Sequence, residues 1–147
     1  MQRQAGFTIG ELARRCHVGV ETIRFYERKG LLNQPKRPAQ GYRRYPESNL
    51  ERVLFLHRAK QLGFSLKEIG ELLALRDEKA ADCRSIRERA SSKVEVIEQR
   101  IASLQALLGE LKTLVAACDG NAPLERCHIL RALSPVEPNS TNEKVHP

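Results

Sequence analysis

The longest hydrophobic pattern in this sequence runs through its C-terminal half, between Cys83 and Cys127. Apolar residues recur there every three or four positions, with charged and amide residues between them, which is the period of an amphipathic helix. The apolar stripe consists of Val94, Ile97, Ile101, Leu104, Leu108, Leu111, Val115 and Cys118. Because a lone helix has nothing to bury such a stripe against, the pattern predicts a coiled-coil helix that pairs with a second copy.

Cysteines flank this predicted helix. About 35 residues separate Cys83 from Cys118, or roughly 52 Å of helix at about 1.5 Å per residue, so these two thiols of one chain cannot meet. An antiparallel pair would bring Cys83 of one copy to Cys118 and Cys127 of the other. A parallel pair would set each cysteine against its own copy instead. The sequence therefore proposes a dimer and, in its antiparallel form, a cysteine site shared between two subunits.

The N-terminal half predicts four shorter helices. Thr8 with Glu11, and Ser65 with Glu68, form the capping-box pattern at the start of a helix. The predicted helices run from Thr8 to about Cys16, from Val20 to Arg28, from Pro46 to about Gln61, and onward from Ser65. The first two are joined by a brief turn that contains glycine, which is a helix-turn-helix signal.

Arginine and tyrosine are concentrated in the second of these helices. Ile23 and Phe25 can serve the core, which leaves a polar and aromatic set suited to base edges and phosphates in the major groove. That set is Thr22, Arg24, Tyr26 and Arg28. The same residues would also suit a solvated charged surface.

The segment 33–45 is predicted to form a basic wing beside the second helix. Pro35, Pro38 and Gly41 prevent a helix there, and aromatic and basic residues alternate toward its end, so we expect a small β-hairpin. Long cations and hydroxyl groups are suited to backbone phosphates. The wing residues are Arg37, Tyr42, Arg43, Arg44 and Tyr45.

Charge and composition support a nucleic-acid partner. The formal net charge is +7, which favours an anionic partner, nucleic acid before membrane. No apolar run approaches the roughly 20 residues of a membrane span, and the N-terminus carries no apolar signal core, so we expect a cytoplasmic protein. The four cysteines are then expected to be thiols or metal ligands rather than disulfides, with Cys16 in the core.

The segments, taken in order, resemble the MerR family of bacterial transcription regulators over roughly residues 7–133. The motifs that carry the resemblance are Thr8–Ala13, Val20–Leu32, Gly41–Tyr45 and Leu62–Ile69. The resemblance implies a mainly α fold, with a winged helix-turn-helix DNA-binding domain, a hinge and an antiparallel dimerisation helix. It also implies a homodimer on promoter DNA that, when the inducer binds, bends and untwists the DNA and so realigns promoter elements for RNA polymerase.

The resemblance further implies a metal inducer, because Cys83, Cys118 and Cys127 match the family's metal-binding cysteines. Three thiolates select soft cations, and the cysteine spacing, with no histidine in the loop 119–126, looks most like the mercury-responsive branch. Lead(II) and cadmium(II) sensors are close behind, and zinc(II) stays open. His128 stands where proline is usual in the family. It could add a nitrogen ligand that favours zinc or cadmium, or it could be a surface histidine.

Three other classes of protein compete with a metal-responsive regulator. A thiol redox-sensing regulator would use the same cysteines without metal. An enzyme is disfavoured because the sequence offers no cysteine–histidine–aspartate arrangement, phosphate loop or carboxylate pair. A coiled-coil adaptor would leave the arginine-rich segments unexplained. The predicted domains are a DNA-binding domain with hinge (1–76), a linker and dimerisation helix (77–118), a metal-binding loop with a short helix (119–133) and a disordered tail (134–147).

Overall fold

The computed structural model describes residues 5–79 and 82–135, and the fold over these residues is mainly helical. The helices are α1 (Ile9–Cys16), α2 (Val20–Arg28), α3 (Glu47–Gln61), α4 (Leu66–Asp77), α5 (Cys83–Ala116) and α6 (His128–Leu133), with a 3-10 turn at Leu124–Arg126. The helices predicted in the N-terminal half are confirmed. The tail predicted to be disordered lies, beyond residue 135, outside the described residues. In the described part of the chain, no helix has the length and apolar character of a membrane span.

Both predicted capping boxes form, and they fix where α1 and α4 begin. The backbone N–H of Thr8 donates to Glu11 Oε2 at 2.8 Å, and the backbone N–H of Glu11 donates to Thr8 Oγ1 at 3.2 Å. Ser65 and Glu68 repeat the arrangement at 2.7 and 3.2 Å. Each box satisfies two N–H groups that would otherwise lack partners at the helix start.

Helices α1 to α4 enclose one hydrophobic core, in which α1 packs on α2 and α3, and α3 packs on α4. Its fully buried side chains include Leu12, Cys16, Ile23, Val53, Leu56, Ile69 and Leu73. Cys16 lies in the core as predicted, and burial raises the pKa of its thiol. The core gives α2 a rigid support, which leaves its other face available to a ligand.

The wing is a loop and not the predicted hairpin. No strand forms within residues 5–79 or 82–135, and the one bridge joins Tyr45 to Phe7. The Phe7 N–H donates to Tyr45 O at 2.8 Å, and the Tyr45 N–H donates to Phe7 O at 2.7 Å. Pro35 and Pro38 lack the N–H groups that a ladder inside the loop would need, so the end of the wing pairs with the chain before α1 instead.

The chain divides into two compact units after Lys93, so the first turns of α5 belong with the four short helices. Within the first unit, Lys93 Nζ lies 2.8 Å from Glu68 Oε2, and Arg89 forms an ion pair with Glu71. Lys93 also lies over the ring of Phe64, 5.6 Å from its centroid. These contacts join α4 to the beginning of α5, and we call them the α4–α5 clamp.

The second unit begins at Val94 and carries the apolar stripe of α5. The residues of the stripe from Val94 to Val115 are between 40 and 63 % exposed. The long helix predicted from the hydrophobic pattern is confirmed, and in a single chain its apolar face is open.

Candidate nucleic-acid interface and metal centre

Arginines of α2 and the wing meet around one cleft in the first unit. The cleft has a volume of about 240 Å³, and its lining includes Arg24, Arg37, Tyr42 and Arg43. The helix-turn-helix core positions the first of these, and the Phe7–Tyr45 bridge anchors the end of the loop that carries the other three. With Tyr45, which also lines it, five of the predicted DNA-binding residues therefore share this cleft, which we call the arginine cleft.

Arg43 is the most informative residue of this cleft. Its Nε is buried and has no hydrogen-bond partner among the described residues. A buried donor without an acceptor costs about 1–3 kcal/mol. Such a donor is suited to an acceptor that arrives with a ligand, and a phosphate oxygen has the required charge.

The remaining predicted arginines lie outside the lining of the cleft. Arg44 is half-buried and pairs with Glu11 Oε2 at 3.6 Å. Arg28 is exposed near the end of α2, and Thr22 is half-buried in its first turn. Arg24 belongs to the cleft but also forms an exposed ion pair with Glu21 at 3.0 Å, which an incoming phosphate could replace at little cost.

Two of the predicted DNA-binding residues, Tyr26 and Tyr45, are buried instead, at 3 and 2 % exposed. Tyr26 follows Ile23 by three residues and so shares the core face of α2. The Tyr45 hydroxyl donates to Glu27 Oε1 at 2.5 Å. Burial, with that hydrogen bond, raises the pKa of Tyr45. These buried positions make both rings supports of the surface, and their contact with DNA stays a prediction.

The cysteines of the second unit share a separate cavity. Cys118 follows the end of α5, Cys127 precedes α6, and both thiols are half-buried and free. They line a cavity of about 320 Å³ together with Asp119, Arg126 and His128, among others. Cys83, the third predicted ligand, is exposed at the first position of α5 in the first unit.

This donor set fits a soft metal in part. Two thiols facing one cavity are the ligands that such a cation prefers. Across residues 5–79 and 82–135, however, no three histidine, cysteine or acidic side chains form a group that could hold a metal. Within the described part of the chain, the two thiols therefore have no third ligand beside them.

Sequence reasoning missed two features. Gln34 lines the arginine cleft and offers an amide beside the arginines; its place before Pro35 in a basic segment was the available signal. The α4–α5 clamp joins Glu68 to Lys93 and Glu71 to Arg89. No local pattern shows such long-range pairs.

The fold is that of a helix-turn-helix DNA-binding protein, and comparison with known proteins identifies the family. The model described as "MerR HTH family regulatory protein" matches residues 7–75, and "MerR, DNA binding" matches residues 50–114. The chain belongs to the MerR family of transcriptional regulators, so the resemblance drawn from the sequence is confirmed.

Several proteins similar to this chain are metal regulators by name. The chain is 39% identical over 127 residues to a mercuric resistance operon regulatory protein of Bacillus cereus, covering 86% of this chain and 96% of that protein. A regulator of Ralstonia metallidurans, solved in complex with lead(II), is 34% identical to this chain and superposes with a TM-score of 0.78. The match covers 87% of this chain and 99% of the Ralstonia chain. The MerR protein of Bacillus megaterium, solved with mercury(II), is 37% identical to this chain and superposes with a TM-score of 0.67. The match covers 86% of this chain and 98% of the Bacillus megaterium chain.

Proposed function

We propose that this MerR-family regulator binds promoter DNA as a homodimer and activates transcription of heavy-metal resistance genes when it binds mercury(II). The observation that carries the proposal is the pair of thiols, Cys118 and Cys127, on one cavity at the end of a long helix. Bound metal would cross-link the two subunits through thiolates. The protein acts in the cytoplasm with RNA polymerase as its partner, and as a regulator rather than an enzyme.

The DNA-binding part of the proposal rests on the arginine cleft. Arg24, Arg37 and Arg43 place three cations on one surface, and the buried Arg43 Nε lacks an acceptor among the described residues. Thr22, Arg28 and Arg44 extend the proposed surface along α2 and the wing. Tyr42, 81 % exposed, offers a ring and a hydroxyl to the DNA backbone.

The dimer is supported by the open stripe of α5. The helix is 34 residues long, or roughly 50 Å at about 1.5 Å per residue, so Cys83 lies far along the helix from Cys118. An antiparallel partner would cover the stripe and bring its own Cys83 to this loop. That arrangement supplies the third thiolate which one chain cannot.

Mercury(II) is the first candidate inducer because three thiolates suit a soft cation, and mercury(II) is softer than lead(II), cadmium(II) or zinc(II). The mercuric regulator named above and the relatives solved with lead(II) and mercury(II) support this class of inducer. Lead(II), cadmium(II) and zinc(II) are the alternatives within the same architecture. A thiol redox sensor is the remaining alternative, and it predicts a response to oxidant with no metal taken up.

Subunit complementation tests the shared site. Neither Cys83→Ser nor the double variant Cys118→Ser/Cys127→Ser should respond to mercury as a homodimer, while both should keep DNA binding. A mixed dimer of the two holds one complete three-thiolate site, so it should recover about half of the wild-type metal capacity. Thiolate-to-mercury absorption under a competing thiol measures this. Mixed dimers that bind no more mercury than the parents would contradict the shared site.

The arginine cleft is tested by the salt dependence of DNA binding. Arg43→Ala should weaken binding to every DNA sequence and make the slope of log K against log salt shallower by about 0.9, the value of one phosphate contact. Arg58→Ala is the matched control, since Arg58 lies on α3 and hydrogen-bonds Gln61. Equal slopes of log K against log salt for Arg43→Ala and the wild type would show that Arg43 contacts no phosphate.

A further inference from the structure

Residues 31–33, where α2 leads into the wing, lack backbone partners for two of their carbonyl groups. Leu31 donates its N–H to Tyr26 O at 3.0 Å, which ties it to α2. Among the described residues, however, no backbone N–H donates to the carbonyl of Leu31 or of Asn33. Because buried backbone groups in a folded chain need a partner, side chains or water must satisfy these two carbonyls.

Two side chains of α3 supply those partners. Asn49 Nδ2 donates to Asn33 O at 3.1 Å, and Arg52 Nε donates to Leu31 O at 2.6 Å. Asn49 and Arg52 are three residues apart and therefore share one face of the helix. Asn49 is buried, at 9 % exposed, so little water competes for its amide. The entrance of the wing is thus fastened to α3 by two hydrogen bonds, which we call the wing tethers.

A carboxylate of α4 holds the arginine of these tethers in place. Arg52 Nη1 donates to Asp77 Oδ2 at 3.2 Å. The pair is partly exposed and so contributes little stability by itself. Its effect is to orient a planar guanidinium, whose donors form a rigid fork. Asp77 is the last residue of α4, so Arg52 connects the entrance of the wing to the end of that helix.

We propose that Asn49 and Arg52 are positioning residues for DNA binding, which hold the wing where its arginines can reach phosphates. This inference rests on the proposed function, because it requires the arginine cleft to contact DNA. The Phe7–Tyr45 bridge anchors the far end of the wing, and the wing tethers anchor its entrance. A loop held at both ends loses less conformational entropy on binding, which strengthens binding without any added contact to the ligand.

Two variants each remove one wing tether and leave the net charge unchanged. Arg52→Lys keeps the positive charge, but a single ammonium cannot reproduce the fork that spans two acceptors. Asn49→Ala removes the amide from a helix that accepts alanine well, and it removes one neutral hydrogen bond. Arg58→Lys is the matched control, since Arg58 is exposed on the same helix and hydrogen-bonds Gln61.

The first measurement is the affinity of the full-length dimer for a fluorescent duplex of its own promoter, by anisotropy at several salt concentrations. Arg52→Lys and Asn49→Ala should bind about three- to tenfold more weakly, because the wing must then be ordered on binding. The slope of log K against log salt should become shallower, by up to about 0.9 for each wing phosphate contact that is lost. Arg58→Lys should keep the wild-type affinity and slope.

A double-mutant cycle separates positioning from a general loss of structure. Arg37→Ala removes a cation of the wing, and Arg24→Ala removes one of α2, which the wing tethers do not hold. Arg37→Ala should weaken DNA binding less in the Arg52→Lys background than in the wild type, because a displaced wing has already lost part of that contact. Arg24→Ala should weaken binding by the same factor in both backgrounds. The same cycle in the Asn49→Ala background serves if Arg52→Lys does not fold.

The outcomes separate this inference from the one it rests on. Equal effects of Arg37→Ala in both backgrounds would overturn the positioning role and leave the arginine cleft as a DNA-binding site. A fall of the Arg37→Ala and Arg24→Ala effects together would also overturn it, because a general loss of structure acts on both. If neither alanine variant weakened binding by the wild type, the cleft would fail and the positioning role with it. A smaller effect of Arg37→Ala alone would support the wing tethers.

Discussion

At the scale of single residues, Tyr45 shows how a buried ring can support the arginine cleft that it lines. Its backbone pairs with Phe7, and its hydroxyl donates to Glu27 on α2. The ring thereby joins the end of the wing to α2. Its neighbours Tyr42 and Arg43 are held near α2 as a consequence.

Tyr45→Phe should lower the free energy of unfolding by about 1–2 kcal/mol at neutral pH, because it removes a hydrogen bond to a carboxylate. Urea unfolding followed by circular dichroism measures the change. Tyr42→Phe is the control, since Tyr42 is 81 % exposed, and it should change stability by less than about 0.5 kcal/mol. Similar losses of unfolding free energy in both variants would show that the Tyr45–Glu27 hydrogen bond stabilises the fold no more than an exposed hydroxyl does.

The pH dependence of stability should depend on the same residue. Burial and then Glu27 raise the pKa of Tyr45 in the folded state, so folding favours the protonated hydroxyl. Its contribution is complete below the ordinary tyrosine pKa of about 10 and is lost as pH rises beyond it. The wild type should therefore lose more stability than Tyr45→Phe between about pH 9.5 and 11, measured as urea midpoints. Parallel curves would contradict this.

The sequence could have located one of the two buried tyrosines. Tyr26 lies three residues after Ile23, and that spacing alone places it on the core side of α2. Tyr45 is different, because its burial follows from a bridge to Phe7, which lies 38 residues earlier in the chain. Local periodicity carries no information on such a contact.

At the scale of elements, Glu68 has two roles. It completes the capping box of α4 with Ser65, and it binds Lys93 of α5. The hydrogen bond from Lys93, and next the one from Ser65, lower the pKa of Glu68. A depressed carboxyl pKa stabilises the fold above the unfolded value of about 4.5 and ceases to do so as pH falls below it. Acid should thus loosen the α4–α5 clamp.

The α4–α5 clamp also fixes to α4 the part of α5 that begins with Cys83. Cys83 opens the segment of α5 that Arg89 and Lys93 fasten to α4. Under the proposed function, a metal bound at Cys83 would act on the DNA-binding unit through these ion pairs. Lys93→Met should leave DNA affinity within about threefold of the wild type and reduce metal-induced transcription several-fold. Lys112→Met is the control, because Lys112 lies exposed on the second unit. In vitro transcription with and without mercury measures both; full induction by Lys93→Met would exclude the clamp as a coupling element.

Helix positions were predictable because their signals are local. Thr8–Glu11 and Ser65–Glu68 mark helix starts within four residues, and the stripe from Val94 onward marks α5. The hairpin prediction was wrong because the partner of Tyr45 lies outside the wing. The candidate metal centre was predictable only as a set of cysteines, since in the proposed dimer a second chain completes it.

At the scale of the whole molecule, the open stripe on α5 ties folding to association. Leu104 and Leu108 are 57 and 51 % exposed in the single chain, and a partner would bury them. Leu104→Glu should raise the dimer dissociation constant about hundredfold or more, since two copies each lose about 1.5 kcal/mol or more of burial. Analytical ultracentrifugation measures this. Leu54→Glu, on α3 and 43 % exposed, should leave the dissociation constant unchanged. Equal effects of the two changes would contradict pairing through the stripe.

The exposed stripe also has a consequence for the level of this protein in a cell. A newly made chain presents several large aliphatic side chains to chaperones and proteases until it meets another. Its lifetime should therefore increase with its own abundance, so a low rate of synthesis gives disproportionately few surviving regulators. Any other chain whose helix carries the same spacing could capture it in a mixed pair, and a cell with several such regulators would have to keep their stripes distinct.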